Sequence, residues 1–150
     1  MSRIKLVTHA PGAPGLRLFG LGPNLWPVKG IYKLQHLLEN HSFWAQGRSI
    51  ANLKRLLAQS TVVVSLWRNK RMIGFGRATS DGIYRAVLWD IVVAEDLQGF
   101  GLGRQVVQAL LQSKSIRKVE KIYLMTTESS NFYKQVGFEL IDSQKLMLKK

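Results

Sequence analysis

The sequence predicts an α/β fold in which helices flank a single mixed β-sheet. Two helical patterns, with apolar residues three and four positions apart, come first along the chain. Three runs of β-branched and apolar residues follow, separated by short turns, and a strand–loop–helix–strand order comes after them. A length of 150 residues is enough for one domain with a sizeable core and too short for two. We therefore expect one domain over residues 1–150, with about four helices around a central twisted sheet.

The region before residue 60 is expected to be mainly helical. All four prolines lie between residues 10 and 30 and indicate a turn-rich segment, in which Arg17-Leu18-Phe19 is expected to form a short strand. The spacing of apolar residues predicts a helix from Lys29 to Asn40. Ser49 is typical of an N-cap, so a second helix is predicted to begin directly after it.

Three neighbouring strands are predicted in the middle of the chain, over Thr61–Trp67, Met72–Thr79 and Ile83–Val93. The polar residues 68–71 and the Ser80-Asp81-Gly82 sequence are typical of the turns between them. The third run is almost continuously apolar from Ala86 onward, a pattern typical of a central strand that is buried on both faces.

The rest of the chain predicts alternating helices and strands. The predicted elements are a helix marked by Val106, Val107, Leu110 and Leu111, a strand over Val119–Thr126, a short helix over Ser129–Val136, and final strands over Phe138–Ile141 and Lys145–Leu148.

The composition excludes several classes of protein. The chain has no cysteine, which excludes disulfides, thiolate metal sites and a cysteine nucleophile. No run of 18 apolar residues is present, so no membrane span is expected, and the first residues lack the apolar run of a signal peptide. His9, His36 and His41 have neither metal-ligand spacing nor an acidic cluster beside them, so no metal site is expected.

The charge is strongly positive, with 22 Lys and Arg against 9 Asp and Glu, a formal net charge of +13. Such a charge is compatible with nucleic-acid binding, with a site for a cofactor that carries several phosphates, or with a well-solvated surface. The basic residues are scattered along the chain, and no helix-turn-helix, zinc-finger or RNA-binding signature accompanies them. The sequence therefore does not favour specific nucleic-acid binding.

A glycine-rich loop between a strand and a helix is the most informative stretch. After the apolar strand ends at Val93, glycines stand at positions 99, 101 and 103, directly before the next helical pattern. Glycines allow close backbone approach, and the N-terminus of a helix attracts anions, so this loop can form an anion cradle to which Arg104 adds a charge. The spacing fits neither the dinucleotide fingerprint nor the P-loop. The alternative interpretation is a structural turn that leads into the helix.

The order Gln98-x-x-Gly101-x-Gly103 resembles the coenzyme A pyrophosphate loop of the GCN5-related N-acetyltransferase (GNAT) superfamily. The resemblance implies that acetyl-CoA is the cofactor, with its pyrophosphate held by the backbone amides from Gln98 to Arg104. It also implies that Ile91 and Val93 pair with the pantetheine arm, and that a backbone N–H near Val92 polarises the thioester carbonyl. Glu95 stands where the family usually has proline.

A second match is Tyr133-Lys-Gln-Val-Gly137-Phe138, which resembles the family's Tyr-x-x-x-Gly-Phe segment. The resemblance implies that Tyr133 is the general acid that protonates the departing thiolate, and a phenol with a pKa of about 10 can do so at neutral pH. The alternative is that Tyr133 only packs its helix on the sheet. The residues that the resemblance assigns to cofactor binding are Ile91, Val92, Val93, Gln98, Gly99, Phe100, Gly101, Leu102, Gly103, Arg104, Asn131 and Tyr133.

Asp90 is the candidate for removing a proton from the acceptor amine, directly or through a water. It is the one acid in an apolar strand, where desolvation is expected to raise its pKa. The alternative is a carboxylate held by hydrogen bonds for structural reasons. Phe43, Trp44 and Trp89 are candidates either for the core or for an acceptor-binding wall, and His41 is a further candidate for contact with the acceptor.

The resemblance as a whole implies transfer of an acetyl group from acetyl-CoA to a primary amine. Residues 73–82 and 88–93 look like the cyanobacterial and plastid branch, which includes plastid protein acetyltransferases and enzymes described as serotonin N-acetyltransferases. The acceptor is then an arylalkylamine or a protein lysine or N-terminal amine, and the expected location is a bacterial cytoplasm or the plastid stroma. The competing class is a non-catalytic acetyl-CoA sensor or a basic nucleic-acid-binding module. The oligomeric state stays open, a homodimer included.

Overall fold

The computed structural model describes residues 3–150, which form a five-stranded mixed sheet with helices packed on it. The strands lie in the order β1-β2-β3-β4-β5, and every neighbouring pair is antiparallel except β4 and β5, which are parallel. The strands are β1 (Ile4–His9), β2 (Val62–Arg68), β3 (Arg71–Ser80), β4 (Arg85–Val93) and β5 (Lys121–Leu124). The α-helices are α1 (Pro14–Phe19), α2 (Gly30–His41), α3 (Ile50–Ala58), α4 (Leu102–Gln112) and α5 (Ser130–Gln135), with single 3₁₀ turns at Pro23–Leu25 and Glu95–Leu97.

The core lies between the central strands and the amphipathic helices. Helices α2 and α4 both pack on β3, and each contributes a buried apolar stripe, which is the arrangement that an apolar helix face requires. Gly76 lets α4 approach β3 closely, because a Cβ at this position would come within 2.7 Å of Val106 Cγ1. The buried apolar side chains of the α-helices are Leu16, Ile31, Leu34, Leu37, Leu38, Leu53, Leu57, Leu102, Val106, Val107 and Leu110.

Most predicted elements are confirmed. The helix expected over Lys29–Asn40 is α2, and the three expected strands are β2, β3 and β4. The N-cap is also confirmed, because Ser49 Oγ accepts a hydrogen bond from the backbone N–H of Asn52 at 3.1 Å. Within residues 3–150, no helix combines the length and apolarity needed to cross a membrane.

Two predictions near the N-terminus were wrong or incomplete. Residues 17–19 lie in helix α1 and do not form a strand, since Pro14 opens this helix and Gly20, with φ of 62°, ends it. The strand β1 was not predicted. It pairs along its whole length with β2, so its stability comes from a partner far away in the sequence.

The two strands predicted at the C-terminal end were also wrong. Residues 138–150 contain no strand, and Leu140, Leu146 and Met147 are largely exposed. Alternating apolar residues give a segment strand propensity, but a strand forms only where a partner strand supplies hydrogen bonds. The expectation that β4 is buried on both faces was wrong as well. Ala86, Leu88 and Val92 are buried, whereas the residues between them are only half-buried.

Candidate active site

A cleft opens where β4 and β5 separate. The two strands pair from Arg85 with Lys121 to Leu88 with Leu124, and β5 ends there while β4 continues to Val93. Residues 89–93 are therefore bordered by β3 on one side and by a cleft of about 880 Å³ on the other. An unpaired strand edge offers a row of backbone donors and acceptors to an extended ligand.

A β-bulge shapes this part of β4. Arg77 pairs with Trp89 and Phe75 pairs with Val92, so Gly76 alone lies opposite the two residues Asp90 and Ile91. Asp90 takes a left-handed backbone conformation with φ of 55°, which is uncommon for a residue with a side chain. Bulges of this kind re-aim side chains and interrupt strand pairing beside active sites.

Two arginines bind the carboxylate of Asp90. Arg77 Nε lies 2.9 Å from Oδ2, and Arg48 Nη2 lies 3.2 Å from Oδ1, while only 6% of the Asp90 side chain is exposed. Burial raises the pKa of Asp90, but the hydrogen bonds and charges of the two guanidinium groups outweigh it and hold that pKa below its ordinary value. The expected upward shift was therefore wrong. A carboxylate whose two oxygens both accept charged hydrogen bonds is a weak base.

Tyr133 lies in the wall of the same cleft. Its ring packs edge-to-face between Phe132, with ring centroids 4.9 Å apart, and Phe138, at 6.1 Å. Burial raises the pKa of the Tyr133 phenol above its ordinary value. The hydroxyl is therefore protonated at neutral pH and can act as a proton donor towards a group bound in the cleft.

The glycine-rich loop joins β4 to α4. Gly99 and Gly101 have φ of 89° and 77°, a left-handed conformation that glycine adopts without strain. Gly101 is the N-cap of α4, and the first intrahelical hydrogen bond runs from the Gln105 N–H to the Gly101 carbonyl. The N–H groups of residues 102–104 therefore have no acceptor within the helix and are available to an anion.

The aromatic candidates also line the cleft. The rings of Phe43 and Trp44 pack edge-to-face with centroids 5.1 Å apart, and 62% of Phe43 and 46% of Trp44 is exposed. Trp89 is more firmly fixed, because its Nε1 donates to Thr79 Oγ1 at 2.9 Å. All three side chains line the cleft, so none of them belongs to the core.

Most of the predicted site residues thus meet in one place, but some do not. Trp89 to Val93, Gln98 and Tyr133 all line the cleft, together with the aromatic pair. The rest of the loop, residues 99–104, lies outside the cleft volume, and so does the exposed Asn131. Arg104 Nη2 donates to the Gln135 carbonyl at 3.4 Å, so its side chain is directed towards the end of α5. No cluster of three or more metal-ligating side chains occurs in the part of the chain that the structure describes.

The sequence interpretation missed several residues of the cleft. Glu128 and its neighbours follow β5, and Leu146 comes from the C-terminal segment. Glu95, noted only as a departure from the family pattern, also lines the cleft, and its backbone N–H donates to His41 Nδ1 at 3.0 Å. This bond fixes Nδ1 of His41 as an acceptor. No local sequence signal marks these residues, since they come together only through the fold.

Comparison with known proteins agrees with this geometry. A family model described as an acetyltransferase (GNAT) domain matches residues 59–140, which is more than half of the chain. The chain belongs to the GNAT family. Its matched region includes β4, the glycine-rich loop and the helix that carries Tyr133.

Two similar proteins place the chain within the family's cyanobacterial and plastid branch. An uncharacterised N-acetyltransferase ycf52 from Pyropia yezoensis is 34% identical over 113 residues, which are 72% of this chain and 64% of that protein. A chloroplastic GCN5-related N-acetyltransferase 2 from Arabidopsis thaliana is 30% identical over 122 residues, which are 76% of this chain and 45% of that protein. The chain thus spans about two thirds or less of the length of these relatives.

A solved structure supports the fold. A GNAT-family protein from Xanthomonas campestris superposes with a TM-score of 0.73 at 19% identity, and the match covers 100% of this chain and 94% of that one. At this identity the likeness concerns the fold alone.

Proposed function

We propose that the chain is an N-acetyltransferase that moves an acetyl group from acetyl-CoA to a primary amine. The observation that carries the proposal is the opening between β4 and β5, because the cleft has an unpaired strand edge and a half-buried tyrosine in its wall, and the glycine-rich loop begins at Gln98 on its border. The competing class, an acetyl-CoA sensor without activity, shares the cradle but does not need a proton donor in the cleft.

The residues present fit acetyl-CoA. Its pyrophosphate needs several N–H donors, which the glycine-rich loop and the free N–H groups of residues 102–104 supply. Its pantetheine arm is extended and carries amides, which suit the unpaired edge of β4 from Ile91 to Val93. Acetyl-CoA supplies an activated acyl group and a thiol leaving group.

In the proposed mechanism the neutral amine nitrogen attacks the acyl carbon, the C–S bond breaks, and Tyr133 gives its hydroxyl proton to the departing sulfur. The proton that the nitrogen loses as the amide forms goes to water, and the phenol regains a proton from solvent. An N–H of the bulged backbone near Val92 is suited to polarise the acyl carbonyl, since the bulge interrupts strand pairing at this point. An amine must be neutral to attack, but its pKa is about 10.4 for a lysine-like group. Glu95 and Glu128 line the cleft and attract the cationic form, and water in the open cleft takes up its proton.

The acceptor has a primary amine on an apolar or aromatic arm. Phe43, Trp44 and Trp89 provide an aromatic wall, which suits an arylalkylamine. The first two rings are about half exposed or more and leave the acceptor side open, which suits a protein lysine or N-terminal amine. Thiol release measured with small aromatic amines and with a lysine peptide separates the two classes of acceptor.

The test compares Tyr133→Phe with Tyr84→Phe, a matched control because Tyr84 is an exposed tyrosine in the turn before β4. Release of free thiol from acetyl-CoA is measured with serotonin, tyramine, spermidine and a lysine peptide. We expect amine-dependent release that falls about 100-fold or more in Tyr133→Phe and is unchanged in Tyr84→Phe. Tight binding of acetyl-CoA without release for any of these amines would contradict the catalytic proposal and favour a sensor.

Two further proposals concern the domain organisation and the location of the chain. We propose that residues 1–150 form one GNAT domain, because buried residues of the central strands and of helices α1 to α4 form one hydrophobic core. We also propose a plastid stroma or a bacterial cytoplasm as its location, on the basis of the chloroplastic relative. Separation of the expressed chain by limited proteolysis into two stable fragments would contradict the first of these.

A further inference from the structure

We propose that Asp90 is a positioning residue, which through Arg48 and Arg77 fastens the acceptor-side loop to the bulge of β4. The proposal rests on the function proposed above, and it assigns roles to two arginines that the sequence interpretation did not include. Three observations carry it: the backbone conformation of Asp90, the origin of the two arginines, and the charge balance of the cluster.

The backbone of Asp90 needs support from its surroundings. A left-handed conformation at a residue with a side chain costs free energy, and Asp90 adopts it with φ of 55° in the middle of a strand. Its carboxylate is fixed from β3 by Arg77, whose Nε lies 2.9 Å from Oδ2. The Arg77 guanidinium carbon also lies 5.8 Å from the centre of the Trp89 ring. One arginine thus contacts both the bulge and the aromatic residue next to it.

The second arginine comes from the segment between α2 and α3, which we define as the acceptor loop, residues 42–49. Arg48 lies in the same loop as Phe43 and Trp44, and its Nη2 lies 3.2 Å from Asp90 Oδ1. The Arg48 backbone is held as well, because its carbonyl accepts from Gln35 Nε2 at 3.0 Å. The ion pair is therefore a direct link from the acceptor loop to the cleft-lining part of β4.

The charge balance explains why this link depends on Asp90. Two guanidinium groups face one carboxylate that is almost completely buried, so Asp90 is the counter-ion shared by both arginines. Arg48 Nη1 is also buried and has no hydrogen-bond partner. If the carboxylate were neutral, two cations would share a poorly solvated space without a counter-ion, and the more mobile one, on the loop, would move away.

Loss of this link is therefore expected to change the KM for the amine and to leave kcat nearly unchanged. The acceptor loop carries Phe43 and Trp44, so release of the loop weakens binding of the amine. The proton donor Tyr133 lies on α5, outside the cluster, so the chemical step is preserved. A residue that accepted the proton of the amine would behave in the opposite way, since its loss slows the chemical step by about 100-fold or more.

The test is a double-mutant cycle with Asp90→Asn and Arg48→Met. Asparagine is nearly the same size as aspartate and tolerates a left-handed backbone, so the bulge is kept while the charge is removed. We expect each single variant to raise the KM for the amine about tenfold with kcat within about threefold of wild type. The double variant should be no worse than the worse single one, because both changes break the same link. A fall in kcat of about 100-fold in Asp90→Asn that Arg48→Met does not share would overturn the proposal.

Arg85→Met is the matched control, since Arg85 forms an exposed ion pair with Glu120 at the far end of β4, outside the cleft. Its kinetics should equal those of wild type. Binding of acetyl-CoA to each variant verifies folding. If Asp90→Asn fails to fold, Arg48→Met carries the test alone through its KM and kcat.

A measurement that does not depend on enzyme activity separates this proposal from the proposed function. Hydrogen exchange of the acceptor loop, residues 42–49, followed by mass spectrometry, should be faster in Asp90→Asn and Arg48→Met than in wild type and unchanged in Arg85→Met. Unchanged exchange in the first two variants would overturn the positioning role, even if the enzyme is active. Faster exchange in a protein that acetylates none of the amines would support the positioning role and contradict the proposed function alone.

Discussion

His9 makes the stability of the fold depend on pH. His9 Nε2 lies 2.8 Å from Ser65 Oγ, and Ser65 Oγ accepts a hydrogen bond from Trp67 Nε1, so the part-buried ring belongs to a polar network between β1 and β2. Burial lowers the pKa of His9 from 6.5 to about 4. The folded protein therefore keeps this imidazole neutral at a pH where the unfolded chain binds a proton.

The size and sign of the effect follow from this difference. Between the unfolded pKa of 6.5 and the folded value of about 4, the unfolded state binds more protons, so stability falls as the pH falls through that window. Lowering the pH from about 7.5 to about 5 should reduce the free energy of unfolding by about 2 kcal/mol. The lowered pKa values of Asp81, Asp90 and Asp96 act in a separate window, because their effect begins only near the ordinary carboxylate value of 3.8.

The assay is urea unfolding at both pH values for wild type and for His9→Gln, which cannot be protonated. We expect wild type to lose about 2 kcal/mol at the lower pH and His9→Gln to lose much less over the same interval. The absolute stability of the variant does not enter the comparison, because each protein is its own reference. An equal loss in both proteins would refute the assignment of the pH dependence to His9.

Three further substitutions test separate parts of the structure. Gly101→Ala, at φ of 77°, should weaken acetyl-CoA binding about tenfold by calorimetry, whereas Gly47→Ala, with φ of 76° but outside the cofactor loop, should leave binding unchanged. Ser49→Ala removes the N-cap of α3 and should lower the free energy of unfolding by about 1 kcal/mol in urea, and an unchanged value would contradict the cap. Gly76→Ala places a Cβ about 2.7 Å from Val106 Cγ1 and should cost about 1–3 kcal/mol, while a neutral result would show that α4 packs less closely than described.

The fold could be predicted from the sequence as far as local patterns determine it. The apolar spacing that predicts α2, and the serine that caps α3, act over a few neighbouring residues, so both features were found. The predictions for strand β1 and for the C-terminal segment were wrong for one common reason. Whether a stretch of alternating residues becomes a strand depends on a distant partner, and β2 supplies one to residues 4–9 while none of the described strands pairs with residues 138–150.

In the candidate site, too, features set by neighbouring residues could be predicted, whereas features that depend on distant residues could not. The glycine-rich loop is contiguous in sequence, since Gly99 and Gly101 bend the chain directly before α4, so its position between strand and helix could be predicted, while anion binding by this loop stays a prediction. The environment of Asp90 was not predicted correctly, because Arg48 comes from a different element and Arg77 lies 13 residues earlier in the chain. The position of Arg77 was accessible in principle, since counting back through the β3–β4 hairpin places it opposite Trp89. The roles of Tyr133 and of the aromatic wall stay predictions.

The central claim is that the cleft between β4 and β5 transfers an acetyl group to an amine. The most direct measurement quantifies both products, free coenzyme A and the acetylated amine, by mass spectrometry after incubation of the purified chain with acetyl-CoA and each candidate amine. We expect equal amounts of the two products for at least one acceptor, and loss of both in Tyr133→Phe. Free coenzyme A without an acetylated amine, or acetyl-CoA that stays bound and intact with every acceptor, would contradict it.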